Sequence, residues 1–283
     1  MRRAVDRMLT VGAGFCAALA VGVIVLIVLA IFWRGGSALS WQFLTEQIRL
    51  VGAAGGVFYN VVGTLILVGT ALVVSAPIST GVALVHSVYL PSEQTRRRLW
   101  WLLSAMNGVP SILFGLFGLI VFVKFFGWGK SWLTGGILLG VMILPIVAVS
   151  LIERIEALPR KYVEAAASLG LRQSQIVWSV ILPQCGSGWV TGTLLGLARA
   201  AGETAPIMFT ATIFAGATLP HGIRESPVLT LPYHIFILSQ DSFDPAVGAK
   251  VWGAALVLLG LVLVLSLAAL PARLKIHYEA QRG

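Results

Sequence analysis

Arg199 and Glu203 stand four residues apart inside an otherwise apolar run, Gly188 to Gly216, that is long enough to cross a bilayer. A charge at the centre of the hydrocarbon costs at least roughly 2.5 to 3.5 kcal/mol even on lenient insertion scales. Ionisable groups placed there therefore face protein or water and mark a pathway. On a helix the two side chains share a face and can pair. Counted at about 100° per residue from Gly196, the residues Gly188, Gly192, Ala200 and both charges fall within about 120° of one another. That face is both small and charged. Two bland readings stand beside the pathway: the small residues simply let two helices approach, and the charges form a static pair locking helices together. A third function would have Glu203, pushed toward neutrality by burial, cycle a proton in a secondary transporter.

The rest of the chain says what must position this pair. Of 283 residues, 58% are hydrophobic and only 11% charged, and the apolar share comes in long uncharged blocks, the mark of a polytopic membrane protein. Six blocks are visible: about Leu9 to Trp33, Val57 to Leu90, Trp100 to Phe126, Trp132 to Ile152, Gly188 to Gly216 and Val247 to Leu270. Each meets or exceeds the roughly 20 residues that span a bilayer. Pro77 predicts a kink or an end near Ser75 to Ala76 in the second block, and Pro145 a bend in the fourth. The opening MRRAVDRMLT imitates a signal peptide, but the apolar run behind it is about twice a signal core and ends in Trp33-Arg34 without a cleavage pattern. It is read as a retained first helix.

The net charge of +9 suggests nucleic acid only if the basic residues cluster on a folded soluble face. Here they sit in short loops, and no nucleic-acid partner is expected. With the amino terminus inside, thirteen Arg and Lys residues fall on the cytoplasmic side and six outside, leaving Arg199 in the membrane. That bias fits the positive-inside rule with both termini cytoplasmic. Cys16 and Cys185 have nothing to pair with, which excludes a disulfide framework and a thiol-rich metal site. In the first outer loop Trp41 and Phe43 read as interfacial belt residues. In the last, His221 and His234 lie thirteen apart in a proline-broken loop with no HExxH or Cys cluster, so no metal site is expected. GWGKS at Gly127 to Ser131 imitates a phosphate loop, but Lys124 stands where the pattern needs glycine and no soluble strand precedes it. This chain is expected to hold no cofactor and to catalyse nothing by itself.

The largest inner connection, about 153–186, differs in kind. It carries polar helix formers, Pro159 at a helix start, an interior Gly170 and a terminal Pro183. Two short helices joined at Leu169-Gly170 are expected, with Tyr162, Val163, Ala166 and Leu169 recurring at helical spacing on the first and Ile176, Val177 and Val180 on the second. Gly170 permits a positive φ between them. Such a hairpin can lie on lipid or act as a lever on another protein.

The run EAAASLGLRQSQIVWSVILP resembles the EAA loop of bacterial ABC-transporter permeases. Glu164, Ala165, Ala166, Gly170, Leu182 and Pro183 match, with Val180 in place of an isoleucine. ARAAGETAPIMFTA, GGVFYNVVGTLILVGT, APISTGVAL, NGVPSILFGLFG and LPYHIFILSQ resemble, in matching order, the PstA-type subunit of phosphate-transport permeases, from about Gly55 to Ala272. The resemblance implies an all-α membrane protein with six transmembrane helices, both termini inside, in a type I ABC importer permease fold with a cytoplasmic coupling-helix loop. Residues 1–56 would be the first helix and outer interfacial segment, 57–272 the permease core, and 273–283 a cytoplasmic tail.

The resemblance also implies partners: a PstC-type second permease, two copies of a PstB-type ATPase that bind ATP and Mg, and a periplasmic PstS-type phosphate-binding protein at the bacterial inner membrane. The EAA loop would dock on the ATPase. Arg199 and Glu203 match the arginine and glutamate of the family's R-x-x-G-E motif. A planar guanidinium offers an oxyanion a two-pronged contact that an ammonium cannot duplicate. Glu203 would hold the arginine and keep the anion from binding too tightly, since conduction needs a weak stop. Sulfate, molybdate or phosphonate would satisfy the same electrostatics, which leaves another oxyanion as the alternative substrate.

Overall fold

The computed structural model describes residues 2–49, 54–216, 219–240 and 245–268. The expected cytoplasmic tail, 273–283, lies outside them. Long uncharged runs leave the backbone only itself to bond to in lipid, and the chain is accordingly helical. Helix α1 (Arg2–Gly35) has exposed Val, Leu, Ile and Phe side chains all round and packs chiefly on the last described helix, where the Arg34 guanidinium lies 5.1 Å over the Trp252 ring. A short outer segment follows: α2 (Trp41–Thr45), capped by the Ser40 hydroxyl accepting from Phe43 N at 3.1 Å, and a two-stranded antiparallel ribbon of β1 (Ile48–Arg49) and β2 (Ala54–Gly55). Trp41 is exposed, as a belt residue would be. Phe43 is not: it is only 5% exposed and packs with Val57, Leu231 and Ala254. The belt expectation for Phe43 is thus corrected, because α2 turns that ring toward Gly253 and into the core.

The central pair is α3 (Phe58–Leu84) and α6 (Trp132–Glu156), which pack along much of their length. Pro77 lies inside α3, so of the kink or end expected near Ser75 to Ala76 the end does not occur. Proline removes one backbone donor, but the surroundings hold the helix together: Ser79 Oγ donates to Leu144 O of α6 at 3.1 Å, one residue before Pro145. Gly140 lets α6 come close to the Ala71 carbonyl of α3.

The third apolar block does break. Helix α4 (Glu93–Gly108) begins before the three arginines, and α5 (Ser111–Gly118) continues into a wider π-helical turn to Phe125, with a 91° bend between them. Pro110 is the cause: it biases Val109 away from the helical region, and Val109 sits at φ −70°, ψ 128°.

The connection expected on the inner side folds as α7 (Arg160–Ser168) and α8 (Gln173–Ile176), then a π-helical turn over Val177–Ile181 and a short α9 (Leu182–Gln184). Helix α10 (Gly186–Gly202) and α11 (Ala205–Thr210) replace the single fifth helix expected over Gly188 to Gly216. Pro206 has no N–H to give the Gly202 carbonyl four residues back, and its ring crowds that oxygen, so the helix stops there. The connection before the last described helix is more ordered than its prolines suggest: α12 (Leu231–Gln240) tolerates Pro232 in its first turn. Helix α13 (Pro245–Ala268) closes the described chain. Among the described residues four continuous helices are long and apolar enough to cross a membrane, and a fifth crossing results if the bent α4–α5 pair counts as one.

Candidate functional site

The small stripe of α10 faces α6. A Cβ on Gly188 would stand 2.6 Å from Arg154 Cβ, one on Gly192 would stand 3.0 Å from Val147 Cα, and one on Gly196 would stand 3.4 Å from Ile143 Cβ. Close packing therefore accounts for these glycines and for the buried Ala200.

The charges end that helix. Arg199 Nε donates to Glu203 Oε1 at 3.4 Å, and the two side chains are 30% and 16% exposed. Leu195, Ala198 and Gly202, on the turns around Arg199, are exposed, so the arginine edges a face of α10 that no other element among the described residues covers. The pair is single-pronged: the ion pair runs through Nε alone, and no hydrogen bond engages the two terminal guanidinium nitrogens among the described residues. Glu203 occupies the extended residue at the break itself, φ −75°, ψ 129°.

Two interrupted helices meet beside it. Helix α11 packs on α5, and Gly115 faces it with room for no side chain against the Phe209 ring, Ala205 O and Pro206 Cα. The α4–α5 break was not foreseen as part of the site. Pro110 in NGVPS was the available signal.

The inner connection builds a second site. Gly170 adopts φ +80° between α7 and α8; Gly170 N donates to Ala167 O at 2.9 Å and Leu171 N to Ala166 O at 3.3 Å, closing the helix end. Glu164, Ala165 and Pro183 are exposed, Leu182 is half-buried, and Ala166 is buried. Leu169 and Trp178 stand 82% and 73% exposed. Beneath them Ala166, Ile176, Val177 and Ile181 join Ala83 of α3, Leu103 of α4 and Leu151 of α6 in one apolar cluster. Gln173 Nε2 donates to Val88 O at 3.1 Å, and Arg154 Nε to Gln184 O at 3.3 Å. The connection is thus fastened to the ends of three long helices while offering bulky apolar side chains outward.

GWGKS serves the fold. Gly127 and Gly129 turn with positive φ, the Ser131 hydroxyl caps α6 by accepting from Thr134 N at 3.1 Å, and Lys130 Nζ donates to Met208 O at 3.0 Å. No group of three or more His, Cys, Asp or Glu side chains able to hold a metal occurs among the described residues. His234 is buried and stacks on Phe214, ring centroids 6.3 Å apart.

Residues 75–275 match the family described as "Binding-protein-dependent transport system inner membrane component". The chain belongs to this family. The permease is 28% identical over 279 residues to "Probable ABC transporter permease protein YqgI" of Bacillus subtilis, covering 95% of each chain. It is 33% identical over 207 residues to "Probable phosphate transport system permease protein PstA" of Methanocaldococcus jannaschii, covering 72% of this chain and 71% of that one. To "Phosphate transport system permease protein PstC" of Pasteurella multocida it is 31% identical over 259 residues, covering 82% and 78%. Among solved structures, an inward-facing MetNI methionine ABC transporter shares the fold at TM-score 0.58 and 17% identity, covering 78% of this permease and 94% of that chain. The permease is therefore a multi-pass membrane subunit of an ABC importer. Its relatives are permease subunits, and this membership implies a partner permease and a separate ATPase.

Proposed function

We propose that this permease is the PstA-type half of a phosphate importer. In this reading it crosses the membrane six times with both termini inside, α4–α5 and α10–α11 each making one interrupted crossing. A PstC-type permease covers the open face of α10, a PstB-type ATPase dimer sits below, and a PstS-type binding protein delivers phosphate from above. Arg199 is the stop on the path. The observation that carries this is the single-pronged pair at 3.4 Å: Glu203 holds the arginine by one edge while the terminal nitrogens stay available to an oxyanion. A low-dielectric surround strengthens that contact, and the carboxylate alongside weakens it enough for release.

Glu164, Ala165, Ala166, Gly170, Leu182 and Pro183 form the docking element for the ATPase, supported by the exposed Leu169 and Trp178 above a fixed apolar base. Another oxyanion is the second reading, favoured by the match to YqgI, whose description names no substrate. Family membership counts against a proton-driven carrier, which has no use for a docking element. The deciding experiment is uptake of labelled phosphate by cells making the whole transporter. Uptake that ends on ATP depletion, survives a protonophore and resists excess sulfate and molybdate is expected. Uptake abolished by the protonophore while ATP persists contradicts the import mechanism, and competition by sulfate or molybdate contradicts the substrate.

A further inference from the structure

The outward stripe of α4 combines basic, aromatic and apolar side chains on one exposed face. Gln94, Arg97, Arg98, Trp101, Leu102 and Ala105 are all exposed and recur at helical spacing, so one face runs from polar through a tryptophan to apolar along the helix. That is the order in which a helix meets water, headgroups and acyl chains. Trp101 is 68% exposed, and with Glu93, Gln94, Arg97 and Arg98 of the same helix it lines a shallow, open hollow.

The three consecutive arginines divide their work. Arg96 turns the other way: its Nε donates to Leu90 O at 2.8 Å, and it faces Glu156 and Arg160 across a separate hollow. Arg97 and Arg98 pair with no carboxylate among the described residues, although Glu93 lies one turn before Arg97. The helix itself is held from its opposite side, where Leu103 is buried in the cluster beneath α3 and α6 and Trp100 approaches His86 at 6.2 Å between ring centroids. Two free guanidinium groups and a tryptophan are therefore presented by a fixed element to whatever lies alongside.

We propose that this hollow binds the headgroup of one anionic phospholipid of the inner leaflet. The two guanidinium groups fork the phosphate, and the Trp101 ring lies against the glycerol and upper acyl carbons with its indole N–H toward the ester oxygens. Charge complementarity selects the occupant: the stripe carries two unpaired cations where the leaflet surface is negative, and its apolar end continues into the acyl region. The inference rests on the proposed inward orientation of the amino-terminal end of α4, and it is independent of what the importer carries.

The test uses the purified full chain in a neutral detergent, titrated with short-chain phosphatidylglycerol and, separately, with short-chain phosphatidylcholine and inorganic phosphate, bound lipid being counted by native mass spectrometry. Phosphatidylglycerol is expected to bind, and the double variant Arg97→Gln/Arg98→Gln to weaken it roughly 30-fold, about fivefold for each guanidinium. Arg97→Lys/Arg98→Lys is expected to retain part of the affinity, and an unchanged melting temperature of the Gln variant shows that the fold survives. Equal binding of phosphatidylcholine, unchanged affinity in the Gln variant, or displacement by inorganic phosphate at equal concentration each overturns the proposal, the last by showing a free-anion site in place of a lipid site. None of these results bears on phosphate uptake, so the two readings fail separately.

Discussion

Gly115 of α5 and Pro206 of α11 meet where two interrupted helices pass each other: a Cβ on Gly115 would lie 3.1 Å from Pro206 Cα and 2.9 Å from Ala205 O. The Phe209 ring lies nearer still, Cδ2 at 2.8 Å, but the other two of the three nearest atoms are backbone, which cannot swing aside as a ring can. Neither helix can yield alone, since each is set by its own proline, Pro110 before α5 and Pro206 within α11. The start of α11, just past the break that carries Glu203, is thereby seated on the middle of α5.

Gly115→Val is expected to force these segments apart and to destabilise the permease by about 1 to 3 kcal/mol, the usual cost of overpacking. Thermal melting of the purified chain checks it. Gly69→Ala is the control, because nothing lies within 4 Å of a Cβ there, and its melting temperature is expected to stay unchanged.

Gly170 tests the docking element by conformation. At φ +80° with nothing within 4 Å of a Cβ, any substitution strains the backbone by about 1 to 2 kcal/mol without a steric clash. Gly170→Asn, which visits this region more readily, is expected to keep ATPase co-purification and stimulated turnover. Gly170→Glu is expected to lose both. Wild-type co-purification and turnover in the Glu variant would remove Gly170 from the docking role.

Much of this was legible in the sequence, and the exceptions have physical causes. The long apolar blocks, the turn at Gly170 and the pairing of Arg199 with Glu203 all follow from local spacing, and local spacing decides them in the folded chain. At Pro77 the expectation left a kink or an end open, and no end occurs because proline's cost is local while the packing of α3 on α6 is not. The reverse happened at Pro206: an apolar run of spanning length hid a break that the missing Gly202 hydrogen bond enforces. Phe43 illustrates the same limit, since an aromatic residue in an outer loop fits both the membrane interface and a core, and only the path of α2 distinguishes them. The matched positions at 115 and 206 involve residues far apart in the chain, which no periodicity in either segment encodes.

Thr64 ties α3 to the start of α12. Its hydroxyl accepts from Leu231 N at 3.0 Å and donates to Asn60 O at 2.7 Å, all within the buried interior. Thr64→Val leaves the Leu231 N–H buried without a partner and is expected to cost about 1 to 3 kcal/mol. Thr64→Ser restores the acceptor and most of the stability. Melting curves of the two variants, compared with the parent, decide the point.

Glu203→Gln is expected to act in the direction opposite to the loss of its partner. Removing the carboxylate frees the Arg199 edge it occupies and strengthens the hold on a passing anion. Phosphate transport should then show a lower turnover, with the substrate retained more tightly on the assembled transporter. Unchanged turnover would mean that Glu203 is not part of the stop.

The central claim is that the Arg199 guanidinium is where the anion pauses. Phosphate uptake into proteoliposomes containing the assembled transporter with Arg199→Gln measures it directly. The complex is expected to assemble normally while uptake falls by roughly 30-fold or more, as the loss of a charge-assisted contact of about 2 kcal/mol implies. Uptake at the parental rate by an intact Arg199→Gln complex would contradict the account and leave the pair with Glu203 a purely structural one.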